Sequence, residues 1–276
     1  MEYVTRDGVR LAYTEAGRGD PSILLVHGMQ CDHTHMQPLF DHFARKHRVV
    51  SIDLRGHGAS DKPGSDYSNA MFNDDIGLIC SSLGLRRPIG IGHSFGGSTL
   101  LYTAIHQPDM LGGIVLLDSG VRSAASRQAE LGHAHGAVSG PENQAQSARF
   151  LAARLFGPDD PVDLRDRIIE QMMSAPSHVR EPMRKTVLEF DAASAARDCM
   201  VPALFLLADR PFTDVETLEQ LGTNWRVGQV VGAGHFIQLI VPDQVTAMID
   251  RFLELLPRAD QPVRRTFPPS AASAGV

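Results

Sequence analysis

Pro88-Ile89-Gly90-Ile91-Gly92-His93-Ser94-Phe95-Gly96-Gly97-Ser98 is the stretch that decides the fold. An apolar run ends in Gly-x-Ser-x-Gly and passes directly into Leu100, Leu101, Ala104 and Ile105, which have helical spacing. Strand, sharp turn and helix form the context a nucleophile elbow requires, with Ser94 at the turn. Gly92 and Gly96 keep the flanking positions bare, so strand and helix can approach closely. Gly-x-Ser-x-Gly alone is a weak pattern; between a strand and a helix it is much stronger.

Working toward the N-terminus, residues 71–83 read as a helix with Phe72, Ile76, Ile79 and Leu83 on one stripe. Residues 48–53 read as a buried strand opening onto the polar, Gly-rich loop 54–63. Before it, residues 33–46 have helical spacing, and residues 9–15 and 22–26 read as strands with a turn at 17–20. Toward the C-terminus, residues 112–117 make another buried strand ending at Asp118. Apolar strands without alternation, interleaved with helices, call for a mostly parallel sheet covered on both faces, an α/β fold.

That rhythm breaks over residues 121–197, where three helical periods (148–156, 164–173 and 183–190) appear and no strand does. About 75 residues exceed a simple crossover, so we expect a helical cap inserted between the core segments 1–120 and 198–257. The sheet resumes at 201–208, followed by a helix near 214–221, a strand at 226–231 and an amphipathic helix at 242–256. The Pro-, Ser- and Ala-rich tail 258–276 is expected to be disordered.

Length and composition narrow the function. The 276 residues suffice for one large core, and a net charge of −6 without a basic run argues against nucleic acid or a membrane surface as partner. No apolar run approaches a membrane-spanning length. Cys31, Cys80 and Cys199 form neither a disulfide framework nor a C-x-x-C unit, so a cytoplasmic location fits. A small-molecule substrate and a monomer or homodimer are expected.

A serine hydroxyl needs a base to become a nucleophile. His235, in a Gly-x-Gly-His turn after the last strand, has the place of that base. The acid that orients it is Asp118 or Asp209, each at the end of a strand, with Asp214 more remote. A rigid strand fixes the direction of Asp118, whereas Arg210 offers Asp209 a structural partner. The oxyanion donors expected are the backbone N–H groups of Phe95 and Met29. His93 reads as a packing residue bonded to backbone. Asp32, His33 and His35 resemble a metal set, but the start of a helix explains them more cheaply, and no metal is expected. Arg55-Gly56-His57-Gly58 lacks Walker spacing, so no nucleotide or other cofactor is expected; Arg55 and Asp61 are read as tying that loop down.

Taken together, Val26-His27-Gly28, the stretch from Asp53 to Ser60, Gly92 to Gly97 and Gly234-His235-Phe236 resemble the α/β-hydrolase superfamily over residues 5–256. The similarity is to its epoxide hydrolase, haloalkane dehalogenase and C–C hydrolase-like branch. Epoxide hydrolases and dehalogenases there use an aspartate nucleophile, so Ser94 implies an esterase, lactonase or C–C hydrolase instead. The resemblance also favours Asp118: Pro211 stands where most relatives carry their acid, and a minority draw it from the preceding strand end. The expected activity is hydrolysis of an ester, thioester or lactone of a small, largely apolar acid through a Ser-His-Asp triad. Alternatives are C–C cleavage of a vinylogous diketone, with Arg122, Arg127 or Arg184 for the substrate carboxylate, cofactor-free dioxygenation, or ligand binding without catalysis.

Overall fold

Alternate residues of each central strand feed two separate cores, one on either face of a single sheet. The computed structural model describes residues 1–64, 66–122, 144–221 and 224–256. Its strands are β1 (Glu2–Arg6), β2 (Val9–Ala16), β3 (Ile23–Val26), β4 (Val49–Ile52), β5 (Ile89–His93), β6 (Gly113–Leu117), β7 (Ala203–Leu207) and β8 (Trp225–Gln229). They lie in the order β1-β2-β4-β3-β5-β6-β7-β8. The pairs β1–β2 and β2–β4 are antiparallel, and every pair from β4 to β8 is parallel. β2 therefore lies against β4, not against β3, its neighbour in sequence, and residues 17–22 cross over rather than close a hairpin. β1 has no counterpart among the expected strands because its exposed, polar edge carries no apolar run.

The helices are α1 (Gln37–Phe43, entered through a 3-10 turn at His33–Met36), α2 (Asn69–Ser82), α3 (Phe95–His106), α4 (Gln144–Leu155), α5 (Val162–Ser174), α6 (Ser177–Glu189), α7 (Ala192–Asp198), α8 (Val215–Glu219), α9 (Ile237–Ile240) and α10 (Pro242–Leu255). Leu24, Val26, Ile114, Leu116, Phe205 and Leu207 face α2 and α3. Ile23, Leu25, Ile91, Val115, Leu117 and Leu206 face Phe43 of α1 and Val245, Ile249 and Phe252 of α10. This period of two under helices on both faces is what the continuous apolar runs required.

The inserted helices α4–α7 separate β6 from β7. α6 starts at Ser177 and runs through Pro182, ahead of the period visible from Met183. Ala192, Ala193, Ala195 and Ala196 of α7 share a core with Leu100 and Leu101 of α3. Leu155, Phe156, Ile168 and Met172 form a third cluster with Cys31 and Phe236. The start of the expected cap (123–143) and the tail lie outside the described residues. No described helix is long and apolar enough to cross a membrane.

Candidate active site

Ser94 sits between β5 and α3 with φ 51° and ψ −116°, a conformation that costs an L-residue energy and persists only where its surroundings enforce it. They do so here by hydrogen bonds on both sides: Ser94 N–H donates to Leu117 O at 2.9 Å, and Ser98 N–H to Ser94 O at 3.1 Å. The glycines are required by contact. A Cβ on Gly92 would lie 2.4 Å from Gly97 N, and one on Gly96 2.3 Å from Val26 O. Phe95 opens α3, so its N–H is one of those a helix start leaves without an intrahelical acceptor.

The structure brings His235 and Asp118 together. His235 Nδ1 lies 2.7 Å from Asp118 Oδ2, and both side chains are buried. A carboxylate oxygen accepts, which makes Nδ1–H the donor of this bond. Asp118 Oδ1 accepts from Ala208 N–H at 3.3 Å and Phe212 N–H at 3.4 Å, so the loop that holds Pro211 in place of an acid steadies Asp118 through its backbone. Asp118 also has a positive φ of 43°. Asp209 is engaged elsewhere: its Oδ2 accepts from Gly232 N–H at 2.8 Å. Arg210 does not pair with it; the guanidinium donates to Phe156 O at 2.8 Å, because the base of the inserted helices lies within its reach. Asp214 caps α8. His93 is buried and bonded to backbone as expected, Nε2 donating to His235 O at 2.9 Å. Burial, then the neighbouring His235, holds His93 well below the ordinary histidine range, so the ring is neutral.

The turn after β3 is set by His27. Leu54 N–H donates to its Nε2 at 3.0 Å, which leaves Nδ1 as the donor to Gly28 O at 2.7 Å. That pair of bonds fixes the Gly28-Met29 backbone beside the elbow, where a Cβ on Gly28 would meet His93 Nδ1 at 2.8 Å and Ser94 Cβ at 3.3 Å. The metal-like residues part ways. His33 turns to Asp53, with both its N–H and its ring on Oδ1 at 2.7 and 2.9 Å, while His35 turns to Asp32 at 3.2 Å. Burial pulls His35 down, but Cys31 and Asp32 outweigh it and bring the imidazole to about 10. The polar loop is tied down as expected, through separate partners: Arg55 to buried Asp75 at 2.5 and 2.7 Å, and Asp61 to Arg10 at 2.9 Å.

The Alpha/beta hydrolase family profile matches residues 23–249. The chain belongs to that family. Among similar proteins, 2-(acetamidomethylene)succinate hydrolase of Mesorhizobium japonicum is 31% identical over 110 residues, 40% of this chain and 39% of that one. Epoxide hydrolase 4 of Homo sapiens is 34% identical over 114 residues, 40% and 32% of the two chains. These matches span about a third of the length of the curated relatives. The solved structure of Est816, described as an N-acyl homoserine lactone degrading enzyme, superposes with a TM-score of 0.79 at 20% identity, covering 91% of this chain and all of that one.

In this hydrolase-family chain the inserted helices are bolted to the histidine loop. His235 N–H donates to Leu155 O at 2.7 Å, and the carboxylate of buried Asp160 accepts from Gly157 N–H at 2.7 Å and from Gly234 N–H at 3.1 Å. A Cβ on Gly234 would lie 2.5 Å from that carboxylate. Ser94, His235, Met29 and Phe95 line one cavity of about 230 Å³, walled by Leu151, Met172, Leu188 and Phe190. An open groove of about 1060 Å³ between α4 and α5 includes neither Ser94 nor His235. Asp160, Phe212 and His27 were not singled out for these roles by sequence pattern.

Proposed function

We propose that the chain hydrolyses an ester, thioester or lactone of a small, largely apolar substrate, with Ser94 as nucleophile, His235 as base and Asp118 as the orienting acid. The observation that carries this reading is the buried 2.7 Å pair of His235 Nδ1 and Asp118 Oδ2, opening on the cavity that Ser94 lines. With Nδ1 held as donor, Nε2 takes the Ser94 proton and the alkoxide attacks the substrate carbonyl. The N–H groups of Met29 and Phe95 stabilise the oxyanion, and rigid backbone donors of this kind cost no reorganisation at the moment of reaction. Collapse expels the leaving group, protonated by His235; water, deprotonated by the same nitrogen, then releases the acid from Ser94. In this reading residues 121–197 act as the cap, whose apolar side chains exclude bulk water. The buried free thiols of Cys31, Cys80 and Cys199 support a reducing, cytoplasmic setting.

Ser94→Ala tests the assignment. It should abolish both ester turnover and labelling by a fluorophosphonate while leaving the thermal unfolding transition within a few degrees of the parent. A folded Ser94→Ala protein that still turns over esters would rule out the serine mechanism.

A further inference from the structure

Among the described residues lining the Ser94 cavity, two carry a buried polar atom without a hydrogen-bond partner: His93 Nδ1 and Asn69 Oδ1. Native structures pair most of their buried polar atoms, so each exception calls for a cause. For His93 the cause is shielding. A Cβ on Gly28 would lie 2.8 Å from Nδ1, so that glycine already covers the nitrogen. Asn69 is held differently. It opens α2, and its Nδ2 donates to Thr186 O of α6 at 3.4 Å, while Thr186 Oγ1 donates to Tyr67 O at 2.7 Å. The Thr186 carbonyl takes only a donor, which fixes the orientation of the amide and leaves Oδ1 at its other end. Three residues along the same face of α2, Phe72 packs edge-on against Phe95 with ring centroids 5.0 Å apart, so this turn is seated against the elbow.

An amide oxygen accepts and cannot donate, and one buried without a donor is costly. On this wall the next residues of α6, Val187 and Leu188, are apolar, whereas a buried water is held by roughly two to four polar partners. A donor carried by the substrate needs no such set. Asn69 is uncharged, and a buried cation would demand an opposite charge, so the fitting donor is an uncharged N–H or O–H. We infer that the substrate carries an amide N–H or a hydroxyl away from its scissile carbonyl, and that Asn69 Oδ1 accepts from it as a specificity-determining contact while Ser94 attacks. This deepens the proposed hydrolase reading and rests on it.

The test compares matched esters that differ in one donor. 4-Nitrophenyl 4-acetamidobutyrate is set against 4-nitrophenyl 6-oxoheptanoate, where a methylene replaces N–H, and 4-nitrophenyl 6-hydroxyhexanoate against 4-nitrophenyl heptanoate, where a methyl replaces O–H. A third pair, 4-(hydroxymethyl)phenyl acetate and 4-ethylphenyl acetate, puts the donor on the alcohol part. In at least one pair the donor-bearing ester should be favoured in kcat/KM by about three- to tenfold, the net worth of an uncharged hydrogen bond. The pair that responds distinguishes amide from hydroxyl. Asn69→Leu should bring that ratio to about one or below. Loss of the Thr186 bond alone would slow both members of a pair alike and leave their ratio in place. Thermal melts identify an Asn69→Leu protein that fails to fold, in which case Asn69→Ala decides. No preference in any pair, or a preference that survives the substitution, would overturn the contact while leaving the serine reading standing. If no ester is cleaved and a fluorophosphonate does not label Ser94, the serine reading fails. Saturation-transfer NMR then judges the acceptor alone, with N-butylacetamide against N-butyl-N-methylacetamide and 1-hexanol against 1-methoxypentane. Binding of a donor-bearing probe that its partner lacks, lost in Asn69→Leu, supports the contact; equal signals within both pairs, or none, overturn it.

Discussion

Two residues at the site hold positive φ without being glycine, Ser94 at 51° and Asp118 at 43°. Each ends a central strand, and each is pinned by a backbone bond to the adjacent strand, Ser94 to Leu117 O and Asp118 to Leu206 O at 2.8 Å. The strain is thus held in place by backbone hydrogen bonds to the sheet. The two aspartates separate cleanly by what they touch. Asp118→Asn should lower kcat by about 10³- to 10⁴-fold with the fold intact, because an amide facing Nδ1 stabilises the wrong tautomer and not the imidazolium. Asp209→Asn, whose carboxylate receives the exposed Gly232 N–H, should change kcat less than about threefold. Steady-state rates of the two variants side by side check this, and a reversed order of losses would return the acid to Asp209.

At the scale of elements, the contact that matters most joins the α4–α5 connection to the loop before His235. Asp160 is buried and accepts N–H groups from both sides of that junction, Gly157 and Gly234, while Leu155 O takes the His235 N–H itself. Moving α4 therefore moves His235. Asp160→Ala removes both acceptors and leaves two N–H groups to find other partners, at roughly 1–3 kcal/mol each if they stay buried. We expect kcat to fall by about tenfold or more with a smaller change in KM, since an ångström of misplacement at the base costs rate before binding. Asp160→Asn, which keeps one acceptor oxygen, should recover part of the loss. Equal losses in kcat and in the stability of the whole fold, without recovery in Asp160→Asn, would mark Asp160 as a purely structural residue.

For the whole molecule, buried histidines give stability an acid limb and an alkaline limb. Burial, aided by His27, pulls His57 down to about 3, so between about pH 6.5 and 3 the unfolded chain binds a proton there that the folded chain does not. Stability therefore falls as pH falls through that window, by at most about 1.4 kcal/mol per pH unit for this one group. His93 acts in the same sense. His35 acts oppositely: brought up to about 10, it contributes fully below about pH 6.5 and loses that contribution as pH rises toward 10. Urea midpoints from pH 4 to 9 should trace a dome; His57→Gln should flatten its acid side and His35→Gln its alkaline side. A dome unchanged by both substitutions would mean that other groups set it.

Local chemistry made much of this legible in sequence. Gly92 and Gly96 are where they are because strand and helix cross within 2.6 Å of any added Cβ, and a contact that close admits only glycine. The apolar strand runs announced two covered faces. By itself, then, the sequence determined the α/β fold, the elbow at Ser94 and the strand-end position of His235, since each depends on residues adjacent in the chain. Only the tertiary structure decided which aspartate meets that histidine, that His27 locks the turn at Met29, and that Asp160 and Phe212 join the inserted helices and the post-β7 loop to the site. Those contacts join residues about 25 to 120 positions apart, and a hydrogen bond between distant groups leaves no periodic trace in the chain that makes it.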